Sequence, residues 1–340
     1  MFAGILKTIG NTPLVELKKA MDVRFHLFAK LEGVNPSGST KDRPALEIVR
    51  QGLLTGKIRQ DTVIVEASSG NMGVALAQVC AYLNLSFICI TDTKATPQHI
   101  NLLRTYGAKV EIMSEPDPAT GDYLVARINR AREIVASLGN AFWVNQYANL
   151  LNAGAHYRTM EEIITALNGE VDYFICCASS CGTLRGCAEY VRSQGLSRTK
   201  ICAVDAPGSV IFGGSRGKRS IPGHGAGIRP DLYQDGLVNR VVTVTDMECV
   251  IGCRKLLATE AMLVGGSSGA AFMGAHHLRD EIPDGANCVV LFPDRGERYL
   301  NTIFCDTWVR EQFNRSIDEC RQDVALLAGP PAAAADNLSA

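Results

Sequence analysis

The sequence predicts an α/β protein of two domains, each with a mostly parallel sheet flanked by helices. Three observations predict it. Short apolar runs recur along the chain. Each is followed by a turn and then by an amphipathic segment of helical length. The 340 residues, 46% of them hydrophobic, exceed what one core usually serves.

The elements follow in order. "TVIVEA" (62–67) reads as a buried strand and leads through "SSGN" into the apolar helix "MGVALAQVCAYLNL". "SFICITD" (86–92) precedes a helix through "TPQHINLLRTYG", and "KVEIMS" (109–114) precedes the helix "TGDYLVARINRAREIVASLG". Gly107 and Gly139 stand where a helix end favours a residue without Cβ. "AFWVNQY" (141–147) starts another strand. The second half repeats the logic with "YFICCAS" (173–179), "SCGT" and the helix "LRGCAEYVRSQG". "KICAVDA" (200–206) enters a long Gly/Pro-bearing loop over 207–238, of a length usually found in functional or mobile segments. "RVVTVTD" (240–246) leads into "MECVIGCRKLLATEA". "VGGSSG" precedes the helix "AAFMGAHHLRDEI", and "NCVVLFPD" (287–294) is the last clear strand. The tail "AGPPAAAADNLSA" is low in complexity and reads as disordered.

A formal net charge of −1, with short runs of mixed sign, gives no basis for a nucleic-acid or acidic-membrane partner. The start, "MFAGILKTIGNTPLVEL", lacks the apolar core and cleavage site of a secretory signal, and no apolar run reaches membrane-spanning length. A soluble, cytoplasmic protein is expected. Its twelve cysteines then read as reduced, mostly buried thiols; Cys89, Cys176, Cys177, Cys202 and Cys288 fall inside apolar strands. No CxxC pair or His/Cys cluster completes a zinc site, so no metal is expected, and His276 and His277 read as surface or packing residues.

Four segments carry candidate chemistry. In "NPSGSTKDRPA" (35–45) a Pro/Gly turn delivers Lys41 to the start of a helix. The residue is either a solvated loop lysine or an amine that forms a Schiff base with a carbonyl cofactor. Three Ser/Thr/Gly loops lie between strands and helices, where parallel sheets bind ligands. "ASSCGT" (178–183) offers backbone N–H groups and the hydroxyls of Ser179, Ser180 and Thr183 to a phosphate, with Gly182 allowing close approach and Cys181 a small tolerated residue. It is neither GxGxxG nor a Walker loop, which argues against NAD and ATP. "EASSGNMG" (66–73) presents Ser68, Ser69 and Asn71 to an anion such as a carboxylate. "GGSSG" (265–269) offers Ser267 to a ring nitrogen. Any one of these loops also serves as a helix cap.

Together with Lys41, the ordered set "IGNTPLVEL", "NPSGSTKDRPA", "SSGNMG", "SSCGT", "GGSSG" and "PDRGERYL" resembles the cysteine synthase family, the fold type II pyridoxal-phosphate enzymes, to about residue 310. The resemblance implies that Lys41 is the Schiff-base lysine and that Asn71 meets the cofactor's ring hydroxyl. It implies that Ser179, Ser180, Cys181, Gly182 and Thr183 hold the phosphate of pyridoxal 5′-phosphate, and that Ser267 faces the pyridine nitrogen. Ser180 and Cys181 depart from the Gly/Thr-rich form usual in that loop. Ser68, Ser69 and Gln146 match positions that hold the substrate carboxylate. The implied reaction is β-replacement on a serine derivative through an α-aminoacrylate, with Lys41 as general base. The resemblance also implies a homodimer, a small mobile domain at 44–147, a large cofactor domain from 1–43 and 148–325, and the disordered tail at 326–340.

Within the family, "KDRPA", "FWVNQYANLLN", "VDAPGSVIFG", "GCRKL" and "FPDRGERYL…DTW" look most similar to siderophore-precursor enzymes of the staphyloferrin B pathway. These join O-phospho-L-serine and L-glutamate to N-[(2S)-2-amino-2-carboxyethyl]-L-glutamate, a precursor of 2,3-diaminopropionate. A phosphate leaving group asks for a cation. Arg229 in "GAGIRP" is the candidate, with Arg43 and Arg295 behind it. Arg127 is the candidate for a glutamate carboxylate, and Tyr147 for positioning substrate. The alternative is a cysteine synthase using O-acetyl- or O-phospho-L-serine and sulfide.

Overall fold

The computed structural model describes residues 4–315 together with 318, 319, 322, 323 and 327. Apart from Leu327, the tail at 326–340 lies outside the described residues.

Two sheets organise the chain. Across the larger one the strands run β1 (Leu14–Glu16), β2 (His26–Leu31), β10 (Asn287–Phe292), β7 (Tyr173–Cys177), β8 (Lys200–Asp205) and β9 (Arg240–Thr243). Only β1 and β2 pair antiparallel; every other neighbour is parallel. The smaller sheet runs β5 (Lys109–Met113), β4 (Phe87–Asp92), β3 (Val63–Ala67) and β6 (Ala141–Trp143), all parallel. Around the smaller sheet lie α1 (Asp42–Leu54), α2 (Asn71–Leu83), α3 (Pro97–Thr105) and α4 (Tyr123–Leu138). With the larger sheet go α5 (Leu150–Gly154), α6 (Tyr157–Ala166), α7 (Gly182–Ser193), α8 (Asp246–Glu260), α9 (Gly266–His277) and α10 (Asp306–Phe313). This is the two-domain α/β architecture the sequence predicts.

The apolar runs become central strands because both faces of the sheet are covered. Along β7, Tyr173 and Ile175 enter one core with α8 and α9, while Phe174 and Cys176 enter another with α6 and α7. Each such side chain, fully buried, contributes about 1.5–3 kcal/mol. Helix ends follow local chemistry. Thr96 caps α3 ahead of Pro97, Asp122 caps α4, and Thr245 with Glu248 forms a capping box on α8. Gly107 and Gly139 hold positive φ after α3 and α4.

Four features differ from the sequence expectation. β1 and β2 add to the edge of the large sheet from a stretch where no strand is expected, and β1 has only three residues. β6 stops at Trp143 because Asn145 turns left-handed, at φ 50°. The segment after it, read only as chain, forms α5 and α6. "GSSG" is the first turn of α9 and not a loop before it, since Gly266 already begins the helix.

Between β8 and β9 the chain has no helix or strand. It folds on itself where Gly217 N–H donates to Gly208 O at 3.0 Å. A Cβ at Gly208 would lie 2.7 Å from Gly217 Cα, so only glycines allow this approach. The described cysteines are free thiols, most of them buried. Among the described residues no helix is long and apolar enough to cross a membrane, and no cluster of His, Cys, Asp or Glu could hold a metal ion.

Candidate active site

Lys41 immediately precedes α1, delivered by a turn that is fixed from several sides. Asn35 accepts from Gly10 N–H at 2.8 Å, and Gly38 takes φ 90°. Buried Asp42 accepts from Ser37 N–H at 2.8 Å and from the Ser37 hydroxyl at 2.5 Å. Thr40 N–H donates to Pro293 O at 2.7 Å, and Ser39 forms a β-bridge with Asp294. The turn is therefore docked on the end of β10. Burial pushes the Lys41 ammonium below its usual pKa, and the nearby charge of Asp294 opposes the shift only in part. A depressed pKa suits an amine that must act as nucleophile and base. Arg43 is committed elsewhere. It forms a buried network with Glu32 and Glu162, with contacts of 2.7–2.8 Å, which Lys30 joins at 2.7 Å from Glu162. Arg295 donates to Gly33 O at 2.7 Å.

The 179–183 loop leaves β7 and opens α7. Cys181 sits at the helix N-cap in the left-handed region, at φ 64°, and burial pushes its thiol up to about 12. A Cβ at Gly182 would lie 2.4 Å from Asn152 Oδ1, so this position accepts only glycine. Asn152 spans the site: its Nδ2 donates to Gln146 O at 2.7 Å and reaches Ser180 Oγ at 3.5 Å. The Thr183 hydroxyl lies 3.2 Å from His156 Nε2, and burial holds that imidazole neutral, well below its usual pKa. Ser267 lies buried in the first turn of α9, its carbonyl accepting from Cys177 Sγ at 3.1 Å.

On the small-sheet side, the side chains of the 68–71 loop are already engaged. Ser68 Oγ accepts from Gly73 N–H at 3.0 Å and thereby caps α2. Ser69 donates to Asp92 Oδ2 at 2.8 Å, and Arg127 pairs with the same oxygen at 2.9 Å. Asn71 donates to Asp294 Oδ2 at 2.7 Å across the cleft. Gln146 supports Glu66, whose buried carboxyl is raised to about 8 by desolvation. Tyr147 follows, its hydroxyl raised by burial, with the charges of Arg127 and Arg219 set against those of Glu66 and Asp122.

Arg229 is exposed and stacks on Tyr233, 4.7 Å from the ring centre. Arg219, on the same long loop, was not singled out in the sequence. Its Nε is buried with no hydrogen-bond partner among the described residues, and burial lowers its pKa. The neighbouring acid, Asp122, is taken by Arg216 and by the N–H of Leu124 at 2.6 Å. No local motif marks Arg219. Only the fold of the loop brings it toward Tyr147.

The long loop, the three strand–helix loops and the Lys41 turn therefore share contacts around one cleft. A half-buried lysine amine, a glycine-bounded helix start and the buried hydroxyls of Thr40 and Ser268, which have no hydrogen-bond partner among the described residues, fit a phosphorylated aromatic aldehyde. The family profile for "Pyridoxal-phosphate dependent enzyme" matches residues 5–294. The chain belongs to this family. Among solved structures, this pyridoxal-phosphate enzyme is similar to a hydrogen sulfide-producing enzyme from Fusobacterium nucleatum, at 33% identity and a TM-score of 0.82, over 88% of this chain and 100% of that one. It is similar to a cysteine synthase from Entamoeba histolytica, at 27% identity and a TM-score of 0.84, over 98% and 97%. It is also similar to an O-ureido-L-serine synthase, at 27% identity and a TM-score of 0.83, over 95% and 99%. It is a fold type II enzyme of the cysteine synthase type, dependent on pyridoxal 5′-phosphate, and its reaction type is β-replacement.

Proposed function

We propose that the enzyme joins O-phospho-L-serine and L-glutamate to give N-[(2S)-2-amino-2-carboxyethyl]-L-glutamate and phosphate, a siderophore-precursor step toward 2,3-diaminopropionate. The observation that carries this reading is the Arg219 guanidinium, whose Nε is buried with no hydrogen-bond partner among the described residues, while Arg127 stands buried against Asp92. A phosphate dianion satisfies such a donor and its charge together. A neutral acetyl leaving group supplies no charge, and a buried donor left unmade costs about 1–3 kcal/mol. Arg127 is already held by Asp92, so it contributes its field and a rigid edge for a glutamate carboxylate.

Lys41 would hold the cofactor through its amine, with Asn71 at the ring hydroxyl, Ser267 at the ring nitrogen and residues 179–183 at the phosphate. Bound there, pyridoxal 5′-phosphate supplies an electron sink for the pair left when the substrate Cα loses its proton. Lys41 then takes that proton, its lowered pKa making the neutral amine accessible. The 68–71 loop and Gln146 orient the substrate carboxylate. The C–O bond to phosphate breaks, and the glutamate amine adds at Cβ with loss of one proton. Residues 44–147 act as the small mobile domain and 1–43 with 148–325 as the cofactor domain. The working form is a cytoplasmic homodimer.

The test is product analysis. Enzyme given O-phospho-L-serine and L-glutamate should release phosphate and form the glutamate adduct in equal amounts, measured by phosphate assay and mass spectrometry. Formation of cysteine from O-acetyl-L-serine and sulfide, with no adduct under the first condition, would return the enzyme to the cysteine synthases.

A further inference from the structure

Asn71 opens α2 on one side of the cleft, yet its amide is held from the other side. An Arg298 Nη donates to Asn71 Oδ1. A guanidinium only donates, so the atom it meets must be the carbonyl oxygen. Asn71 Nδ2 donates to Asp294 Oδ2 at 2.7 Å, the same oxygen that accepts from the Tyr299 hydroxyl at 2.5 Å. His99 Nε2 lies 3.4 Å from Asn71 Oδ1. On the ring's other side, His99 Nδ1 lies 2.7 Å from Thr96 Oγ1, which also accepts from His99 N–H. Arginine and aspartate thus impose one amide orientation, with the His99 ring packed beside it.

An amide nitrogen carries two protons, and Asp294 takes one. We propose that Asp294 and Arg298 are positioning residues that lock the Asn71 amide so that its second Nδ2–H is kept for the ionised ring hydroxyl of the cofactor. The proposal rests on the reading that Asn71 meets that hydroxyl. The two ends of an asparagine amide are nearly the same shape and opposite in polarity. Rotated by half a turn, Asn71 would present a lone pair to the ring oxygen in place of a proton.

The fold holds the lock in place. Asp294 is only 3% exposed, and a Cβ at Gly265 would stand 2.0 Å from its Oδ1 and 2.7 Å from the Tyr299 ring. Glycine at 265 is what leaves room for the carboxylate. Arg298 also donates to Ser37 O, so the lock is tied to the turn that delivers Lys41.

The test uses the full chain, freed of cofactor and titrated with pyridoxal 5′-phosphate. It reads the dissociation constant and the absorption band that reports the ring hydroxyl's ionisation. Asn71→Ala should weaken binding roughly tenfold and shift the band toward the protonated hydroxyl. Asp294→Ala should do the same. Asp294→Asn should restore both readouts, because its amide oxygen still accepts from Asn71. In the Asn71→Ala background, Asp294→Ala should add nothing. Arg298→Met should give a smaller loss of the same kind, and it decides the matter if Asp294→Ala does not fold. An unchanged band and affinity in both Asp294→Ala and Arg298→Met, or full additivity with Asn71→Ala, overturns the proposal and leaves the Asn71 reading standing. If Asn71→Ala itself changes neither readout, the underlying reading fails and the proposal with it.

Discussion

Two loops of nearly the same composition behave differently in this molecule. "SSCGT" and "SSGN" each leave a buried parallel strand and open a helix. In the first, a glycine faces Asn152 so closely that no side chain fits, and the N-cap is a strained, left-handed cysteine. In the second, Ser68 caps its own helix and Ser69 is bound to Asp92. The first loop is packed tightly against Asn152 at its helix start. The second is largely satisfied within the small domain, its Ser68 and Gly70 N–H groups bonded as well. Two Ser/Gly loops can therefore look interchangeable in sequence and differ in what they leave available.

The largest effect that bears on this comparison comes from the amine between the loops. Lys41→Ala should lower turnover by roughly a thousandfold or more and remove the covalent cofactor spectrum, since both nucleophile and base are lost. A variant turning over near the wild-type rate would break the account at its centre. Next, Gly182→Ala should weaken cofactor binding by about a hundredfold through the contact with Asn152. Ser69→Ala should leave cofactor binding within about twofold. Equal losses in a cofactor titration would erase the difference between the loops.

The third prediction concerns pH. Burial lowers His99 to about 4, against an ordinary 6.5. Between those values the unfolded chain binds the extra proton, so folded stability falls as pH drops. From pH 6.5 to 5 this group alone should cost about 1.6 kcal/mol. His99→Asn should lose less over the same interval in urea unfolding; identical losses would remove His99 from the account. The smallest effect is on specificity. Arg219→Met should raise KM for O-phospho-L-serine about tenfold relative to O-acetyl-L-serine, measured by steady-state kinetics. Parallel changes for both substrates would detach Arg219 from the phosphate.

The buried strands and the loops after them were legible because continuous apolar runs mark parallel strands covered on both faces. The reading of Lys41 and of the 179–183 loop rests on the resemblance of a set of motifs taken in their order along the chain. The remainder depends on distant partners. Asp294 and Arg298 meet Asn71 across more than two hundred residues, and the position of Arg219 depends on a long loop that folds back on itself at glycines 208 and 217. The "GSSG" stretch misled because small hydroxyl residues suit a loop and a buried first helical turn alike. β1 and β2 were missed because β1 is three residues long and only the fold shows that β2 borders β10.

The most direct measurement fixes the cofactor to the amine that carries it, with borohydride, and maps the labelled peptide by mass spectrometry. The account predicts label on Lys41 alone. Label on Lys30 or Lys255, each at most 2% exposed, or on no lysine, would contradict it.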